Sequence, residues 1–217
     1  MNGTRLQKII YQKGYGKVAE KVGLLYSAYR PTAAINPSPI SNATLLGTLD
    51  AQFYVDDKLL KPEEYGKVTW KGWFDASDSQ QGDYLIGPQG TFYIVSLQAL
   101  IPPLMVWCTQ VVNFYRPPPQ SNLGSNTYGG TTLANQVEYM AGWPAAIVET
   151  NRRREGDISL PGDMLHPWWH VYLPASINTV QIESADIMTD NLGRRFIVSS
   201  AEKTPLGWRL LAQQALT

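Results

Sequence analysis

The sequence predicts a mainly β protein: two related small β-barrel or sandwich units with an N-terminal helix and extended arms. Three observations predict it. Short runs rich in aromatic and β-branched residues recur from Leu45 onward, Gly, Pro, Asp and Ser separate them, and two series of such runs match each other when the chain is slid along itself.

Residues 1–41 read as a helix followed by an extended arm. Leu6, Ile9, Ile10, Val18 and Val22 fall near helical spacing, with Lys8, Lys13, Lys17 and Lys21 largely on the opposite side. Gly14 and Gly16 weaken the middle, which predicts two short helices or a frayed one, and Gly23 is a natural stop. Tyr29-Arg30-Pro31 opens a stretch with Pro37 and Pro39, where fixed φ and missing donors favour an irregular connector. Residues 42–116 form the first β unit, with strands expected at Gln52–Val55, Val68–Trp70, Tyr84–Ile86, Thr91–Val95 and Leu104–Val112. Residues 117–140 begin with Pro117-Pro118-Pro119 and continue rich in Gly, Ser and Asn, the composition of a linker or long exposed loop. Residues 141–217 form the second β unit, with strands expected at Ala146–Val148, His170–Leu173, Thr179–Ile182, Asp186–Met188, Arg195–Val198 and Trp208–Leu211.

The two β series match at an offset of 103. Asp83 then falls on Asp186, Gly90 on Gly193, Ile94-Val95-Ser96 on Ile197-Val198-Ser199, Pro102 on Pro205 and Gln110 on Gln213. These are 7 identities in the thirty pairs from Gly82 to Val111, against about two expected by chance. The shared pattern is an acidic residue, an apolar strand, a glycine-containing turn and a returning strand, which makes duplication the better reading.

The formal charge is zero, with 18 basic and 18 acidic residues, so no overall field draws the chain to nucleic acid or membrane. The charge is nonetheless uneven. Residues 1–30 carry six bases and only Glu20 as an acid, a surplus of +5 that the remainder offsets with −5. A basic N-terminal arm on an acidic body is a docking device in outline. Cys108 is the single cysteine, which excludes an intrachain disulfide and a cysteine-rich metal site; its apolar setting predicts a buried thiol. Lys8 and Lys13 interrupt any signal-peptide core, and no stretch approaches the roughly 20 apolar residues of a spanning helix. Folding in a reducing cytoplasm is expected.

The residues that could carry chemistry do not form a catalytic signature. His166 and His170 have the i, i+4 spacing of a helical metal pair, but Pro167 and the two tryptophans between them favour an extended chain. A metal-dependent hydrolase would centre on these histidines and Asp163. Asp56-Asp57 and Asp75 with Asp78 could be paired carboxylates and read better as turn openers. Residues 124–130 are glycine-rich but lack the Gly-Lys-Ser/Thr ending of a phosphate loop. No catalytic residue, cofactor or metal is therefore expected. Contact surfaces are better supported. The candidates are the basic helix residues Arg5, Lys8, Lys13, Lys17 and Lys21, the loop run Arg152-Arg153-Arg154, and Trp168 and Trp169 among the seven tryptophans. For at least half of the tryptophans, filling a small β core is the preferred role.

The run Ser184-Ala185-Asp186-Ile187-Met188-Thr189-Asp190-Asn191-Leu192-Gly193-Arg194-Arg195-Phe196-Ile197-Val198-Ser199-Ser200-Ala201-Glu202 resembles the D-x-I-x-D-x-x-G-R-x-Y/F-x-V hairpin common in head-closure and head-to-tail joining proteins of tailed bacteriophages. Leu206-Gly207-Trp208-Arg209-Leu210 continues the likeness, and Asn2-Gly3-Thr4-Arg5-Leu6-Gln7 looks like the start of phage virion proteins encoded near structural genes. The resemblance implies a small β-barrel subunit without an active site, forming a six- or twelve-fold ring between portal and tail. It implies portal or connector and tail proteins as neighbours, and DNA passing close by in the channel. The expected location is the virion neck or tail, after assembly in the host cytoplasm. Such subunits pack heterologously around an axis, with loops and arms reaching their neighbours. A second related half departs from the single-domain pattern of those proteins. It leaves collar, tail-terminator or baseplate-hub positions open, as well as a tandem β-barrel module binding carbohydrate or peptide.

Overall fold

A computed structural model of the chain describes residues 3–31, 39–55, 68–98, 100–117, 136–150, 167–177 and 181–215. The mainly β expectation holds: two β-barrels follow an N-terminal helix. The first barrel contains β1 (Leu24–Tyr29), β2 (Leu45–Tyr54), β3 (Thr69–Phe74), β4 (Tyr84–Gly87), β5 (Gly90–Ser96) and β6 (Leu104–Cys108). They close antiparallel in the order β1-β2-β3-β6-β5-β4, with β4 returning to β1. The second contains β7 (Gln110–Arg116), β8 (Val137–Thr150), β9 (Trp168–Leu173), β10 (Ile187–Asp190), β11 (Arg195–Thr204) and β12 (Gly207–Gln214). Its order, β7-β8-β9-β12-β11-β10 with β10 returning to β7, is the same topology repeated. Closure removes every unpaired sheet edge of the two units.

The repeat extends to register. Leu85 pairs with Ala28 and Phe92 on its two sides, and Met188 pairs in the same way with Phe114 and Phe196. A bulge interrupts β5 between Ile94 and Ser96, and another interrupts β11 between Val198 and Ser200. These pairings correct one detail of the sequence match. Pro88-Gln89 lies between the paired Gly87 and Gly90, whereas Asn191-Leu192-Gly193 lies between Asp190 and Arg194, whose backbones bond at the same place, so the second turn is one residue longer. The structural offset is 104 between β5 and β11 and 107 between β6 and β12, where Val106 corresponds to Gln213, so the identity of Gln110 with Gln213 is not a structural equivalence. Phe196 occupies the place of Phe92, and Val198 that of Ile94. Ile197, which the identity Ile94-Val95-Ser96 would place inside, is 47% exposed. A one-residue slip inverts every side chain of a strand, so the inward phenylalanine fixes the true alignment.

The domain limits also move. Residues 24–29, read as part of the helix and arm, are the first strand of the first barrel. Residues 110–116, assigned to the first unit, form the first strand of the second. The Pro-, Gly- and Ser-rich stretch therefore connects β7 to β8 inside the second barrel and does not link two domains. Its residues 118–135 lie outside the described ones. The division falls at Thr109, whose N–H donates to the Ala145 carbonyl (2.9 Å) and whose Oγ1 accepts from the Ile147 N–H (2.9 Å). Leu104–Val112 looked like one strand because the last strand of one barrel runs almost directly into the first of the next.

Both interiors are filled with side chains. In the first, Phe53 stacks on Phe92 with centroids 4.0 Å apart, and Tyr26 meets Phe53 edge-on at 5.0 Å. In the second, Val112, Phe114, Met140, Val171, Met188, Phe196, Val198, Leu210 and Ala212 are buried. The barrels also share apolar surface. Tyr84, Tyr93, Val95, Val106 and Cys108 belong to the cluster that contains the second barrel's core residues. Tyr84 Oη donates to the Pro144 carbonyl (2.9 Å), and its ring lies edge-on to Trp143. Burial on both faces explains why Phe92-Tyr93-Ile94-Val95 reads as a continuous apolar run instead of an alternating one.

Candidate interface surfaces

The N-terminal helix runs α-helical over α1 (Gly3–Ile9), π-helical over Ile10–Gly16 and α-helical again over α2 (Lys17–Val22). The two glycines do not break it; they sit in the π segment. A Cβ on Gly16 would lie 3.0 Å from the Tyr11 carbonyl oxygen and 3.2 Å from Asp75 Cβ, so glycine allows the helix to approach the end of β3. Tyr11, Gly16 and Ala19 seat it on the first barrel, with Tyr11 Oη donating to the Gln98 carbonyl at 2.8 Å.

The apolar stripe expected from spacing does not make this contact. Leu6 and Ile9 are each 37% exposed, Val18 40% and Val22 56%. Counting about 100° per residue in the α segments and roughly 80° in the π segment, Leu6, Ile9, Ile10, Val18 and Val22 share one side, about a third of a turn from the seating residues. Arg5, Lys13, Lys17 and Lys21 border that side, and all four are exposed. Lys8 reaches Asp78 at 3.6 Å across solvent, and Lys17 pairs with Glu20 at 2.7 Å on its own helix. Arg5, Lys13 and Lys21 have no ion pair among the described residues.

The helix stands to the first barrel as the first barrel stands to the second. Leu24 pairs with Ala51 as Gln110 pairs with Ala145. Gly23, just before β1, packs against Ala51, and Thr109, just before β7, bonds to Ala145. Likewise α2 lies on β2, while β6 lies on the equivalent β8. At the far end, the second barrel's counterparts of Tyr93, Val95 and Val106 are Ile197, Ser199 and Gln213, a more polar set.

The other candidates are distributed as follows. Trp169 is held inside the second barrel's rim, edge-on to Phe196 at 6.0 Å, with the Arg194 guanidinium 4.7 Å above its ring. Arg194 is fixed in turn by Asp190 at 2.7 Å. Trp70 meets Phe92 edge-on at the matching place in the first barrel, so this tryptophan belongs to the repeated scaffold. Trp168 is partly buried at the start of β9, paired with Thr150 and Gln213. Arg152, Arg153 and Arg154 lie outside the described residues, as do Asp56, Asp57, residues 124–130, Asp163 and His166. Asp75 Oδ1 accepts from the Ser77 N–H, the turn role expected of it. His170 lies on β9 beside a groove of about 290 Å³ lined also by Thr150, Ser200, Glu202, Arg209 and Leu211, where Glu202 and Arg209 pair at 2.6 Å. No group of three metal-ligating side chains forms among the described residues, and no helix there is long and apolar enough to cross a membrane.

Sequence reasoning missed a pair of arginine clamps. Arg30 holds Asp83 through Nε and Nη2 at 2.9 and 2.8 Å, and Nη2 also reaches the Asp78 carbonyl. Arg116 holds Asp186 in the same way at 2.9 Å through both nitrogens, and reaches the Gln181 carbonyl. Each aspartate also accepts a backbone N–H from three residues earlier, Gln80 or Glu183. Asp186 takes a further bond from Tyr139 Oη at 2.7 Å. Burial, with the bond to Asp186, pushes the Tyr139 hydroxyl far above its ordinary range, and the bond to Asp186 raises Arg116. The available signal was the match of Asp83 with Asp186. Two buried acids at equivalent positions each require a cation.

No protein-family model, curated protein or solved structure matches this chain.

Proposed function

We propose that the protein is a non-enzymatic structural component of a tailed-phage virion, a ring subunit at the head-to-tail neck in a connector, collar or tail-terminator position. A tail or baseplate hub is the neighbouring alternative. The observation that supports the reading most is the helix that seats on its barrel through Tyr11, Gly16 and Ala19 while turning Leu6, Ile9, Val18 and Val22 to solvent. Exposed apolar helix surface of this kind is stabilised when an assembly covers it. The likeness of the Asp186–Val198 hairpin to head-closure proteins supplies the particular assembly. Portal and tail proteins are the proposed neighbours. Any DNA passage would run between subunits around the ring axis, since both barrel interiors are packed with side chains. The tandem carbohydrate- or peptide-binding module would rely on Trp168 and Trp169. Arg194 covers one face of Trp169, which argues against a sugar platform there.

Negative-stain imaging and light scattering of the purified protein test the proposal. Six- or twelve-fold rings, or incorporation into particles alongside a portal, are expected. A chain that stays monomeric and is absent from particles overturns it.

A further inference from the structure

We infer that the solvent side of the N-terminal helix docks on the acidic body of a second copy of this chain, so that Leu6, Ile9, Ile10, Val18 and Val22 are buried between subunits with Arg5, Lys13, Lys17 and Lys21 around them. The inference deepens the ring reading above and rests on it.

Three observations lead to it. First, the barrels have already covered one another at the face where they could stack. The first barrel covers β8 of the second, and the helix covers the equivalent β2 of the first. The far face of the second barrel carries Ser199 and Gln213 where an apolar contact would need Val95 and Val106. Barrel stacking therefore does not propagate, and the helix keeps an apolar side of its own. Second, that side is continuous along the helix because the π segment turns through a smaller angle per residue than its two α halves. A regular α-helix over the same residues would rotate Val18 and Val22 away from Leu6 and Ile9 by roughly 140°, about 20° for each of the seven π residues. Third, the charges complement. Residues 1–30 carry +5 and the remainder of the chain −5. Asp50, Glu138 and Glu149 are exposed on the barrels, whereas Lys13 and Lys21 have no ion pair among the described residues.

A helix that lies on its own barrel through one face and on a neighbour's body through another makes a heterologous contact. Such a contact closes a ring when its rotation fits and gives a filament when it does not. A basic, apolar-sided helix meeting an acidic surface also associates faster and more tightly at low ionic strength.

The test uses the full chain. The double variant Val18→Glu/Val22→Glu changes two exposed positions on an intact helix, so circular dichroism should match the wild type, as should the melting temperature at dilutions where the wild type is dissociated, while the assembled fraction at higher concentration falls on the order of tenfold or more. Zero-length carbodiimide coupling of a mixture of ordinary and isotope-labelled chains supplies an independent readout. Mixed-label peptides should join Lys13, Lys17 or Lys21 of one copy to barrel aspartates or glutamates of another. Assemblies of unchanged size in the double variant, with cross-copy links confined to other surfaces, overturn the inference and leave the ring reading standing. A wild-type chain that never assembles overturns both.

Discussion

Neutralising Asp186 while keeping its shape gives a sharp reading of the clamp. Asp186 is 2% exposed and accepts four hydrogen bonds: two from Arg116, one from Tyr139 and one from the Glu183 N–H. Asp186→Asn retains one acceptor, turns an amide N–H₂ toward donors and leaves the guanidinium without its counter-charge. Breaking a buried pair from one side costs roughly 3–5 kcal/mol. The Arg116 side chain is 38% exposed and can recover water, which lowers the expectation to about 2–4 kcal/mol. Asp83 in the first barrel is equally buried but accepts three bonds, because no tyrosine among the described residues reaches it. Asp83→Asn should therefore cost about 1.5 kcal/mol less than Asp186→Asn, the net worth of one hydrogen bond to a charged group at its lower end. In a Tyr139→Phe background that difference should vanish. Urea unfolding followed by tryptophan fluorescence measures all four variants, with midpoint shifts read at constant slope. A loss below about 1 kcal/mol for Asp186→Asn, or a gap between the barrels that survives Tyr139→Phe, would refute the account of the clamp.

Two further outcomes follow from buried groups and backbone. Burial pushes the pKa values of Tyr84, Tyr93 and Cys108 well up at the contact between barrels. The unfolded chain releases these protons near the ordinary values of about 10 and 9 while the folded chain keeps them. Their contribution is full below that range, and stability then falls by about 1.4 kcal/mol per pH unit and group, about 4 in all. Melting temperature should drop steeply between about pH 9 and about pH 11, and Tyr84→Phe/Tyr93→Phe should flatten the slope; a flat wild-type profile contradicts the assignment. Among the positive-φ glycines, Gly193→Ala has open space for its Cβ and should cost only the left-handed strain, about 1 kcal/mol. Gly207→Ala, at φ +136° with its Cβ driven into the Leu173 carbonyl, should cost roughly 3 kcal/mol, and equal costs in thermal melts would count against this geometry.

The repeat, the β class and most strands were legible because each strand carries its own apolar run between turn residues. The boundaries were not, for a physical reason in each case. Leu24–Tyr29 follows directly on a helix and leads to Pro31, so its strand character merged with the arm. Leu104–Val112 concealed a domain junction because Thr109 is the single residue separating β6 from β7. Residues 117–140 have the composition of a linker, yet composition reports that a segment is exposed, not which two strands it joins. For the helix, regular α spacing named the apolar residues but would have parted Val18 and Val22 from Leu6 and Ile9; the π segment, which the sequence did not announce, is what puts them on one side. The barrel instead binds Tyr11 and Ala19 and admits Gly16, because close approach to β3 requires a small residue there. Among the tryptophans, Trp143 and Trp208 are buried, and Trp70 and Trp169 brace the inward phenylalanines, which gives Trp169, a contact candidate from the sequence, a role in the scaffold.

What the two barrels hold in common separates scaffold from specialisation. Both keep the arginine clamp, the bulge on the fifth strand and the tryptophan edge-on to an inward phenylalanine. A feature retained by two barrels in different surroundings serves the fold they share. The hairpin motif falls largely on this side of the division. Asp186 anchors the clamp. Asp190 Oδ1 accepts the Leu192 and Arg194 N–H groups, Oδ2 takes Arg194 Nε, and Gly193 supplies φ +77°. The acids, glycine and arginine of the hairpin motif are thus instructions for folding a hairpin, and other small barrels can share them. On the proposed ring reading, what differs between the barrels is what would carry assembly: a helix over β2, a polar set in place of Tyr93, Val95 and Val106, and a cationic, apolar surface at one end of an otherwise acidic chain. Substitutions in the clamp should therefore weaken folding wherever they are read. Substitutions on the outer side of the helix should leave folding intact and act on the contacts between chains.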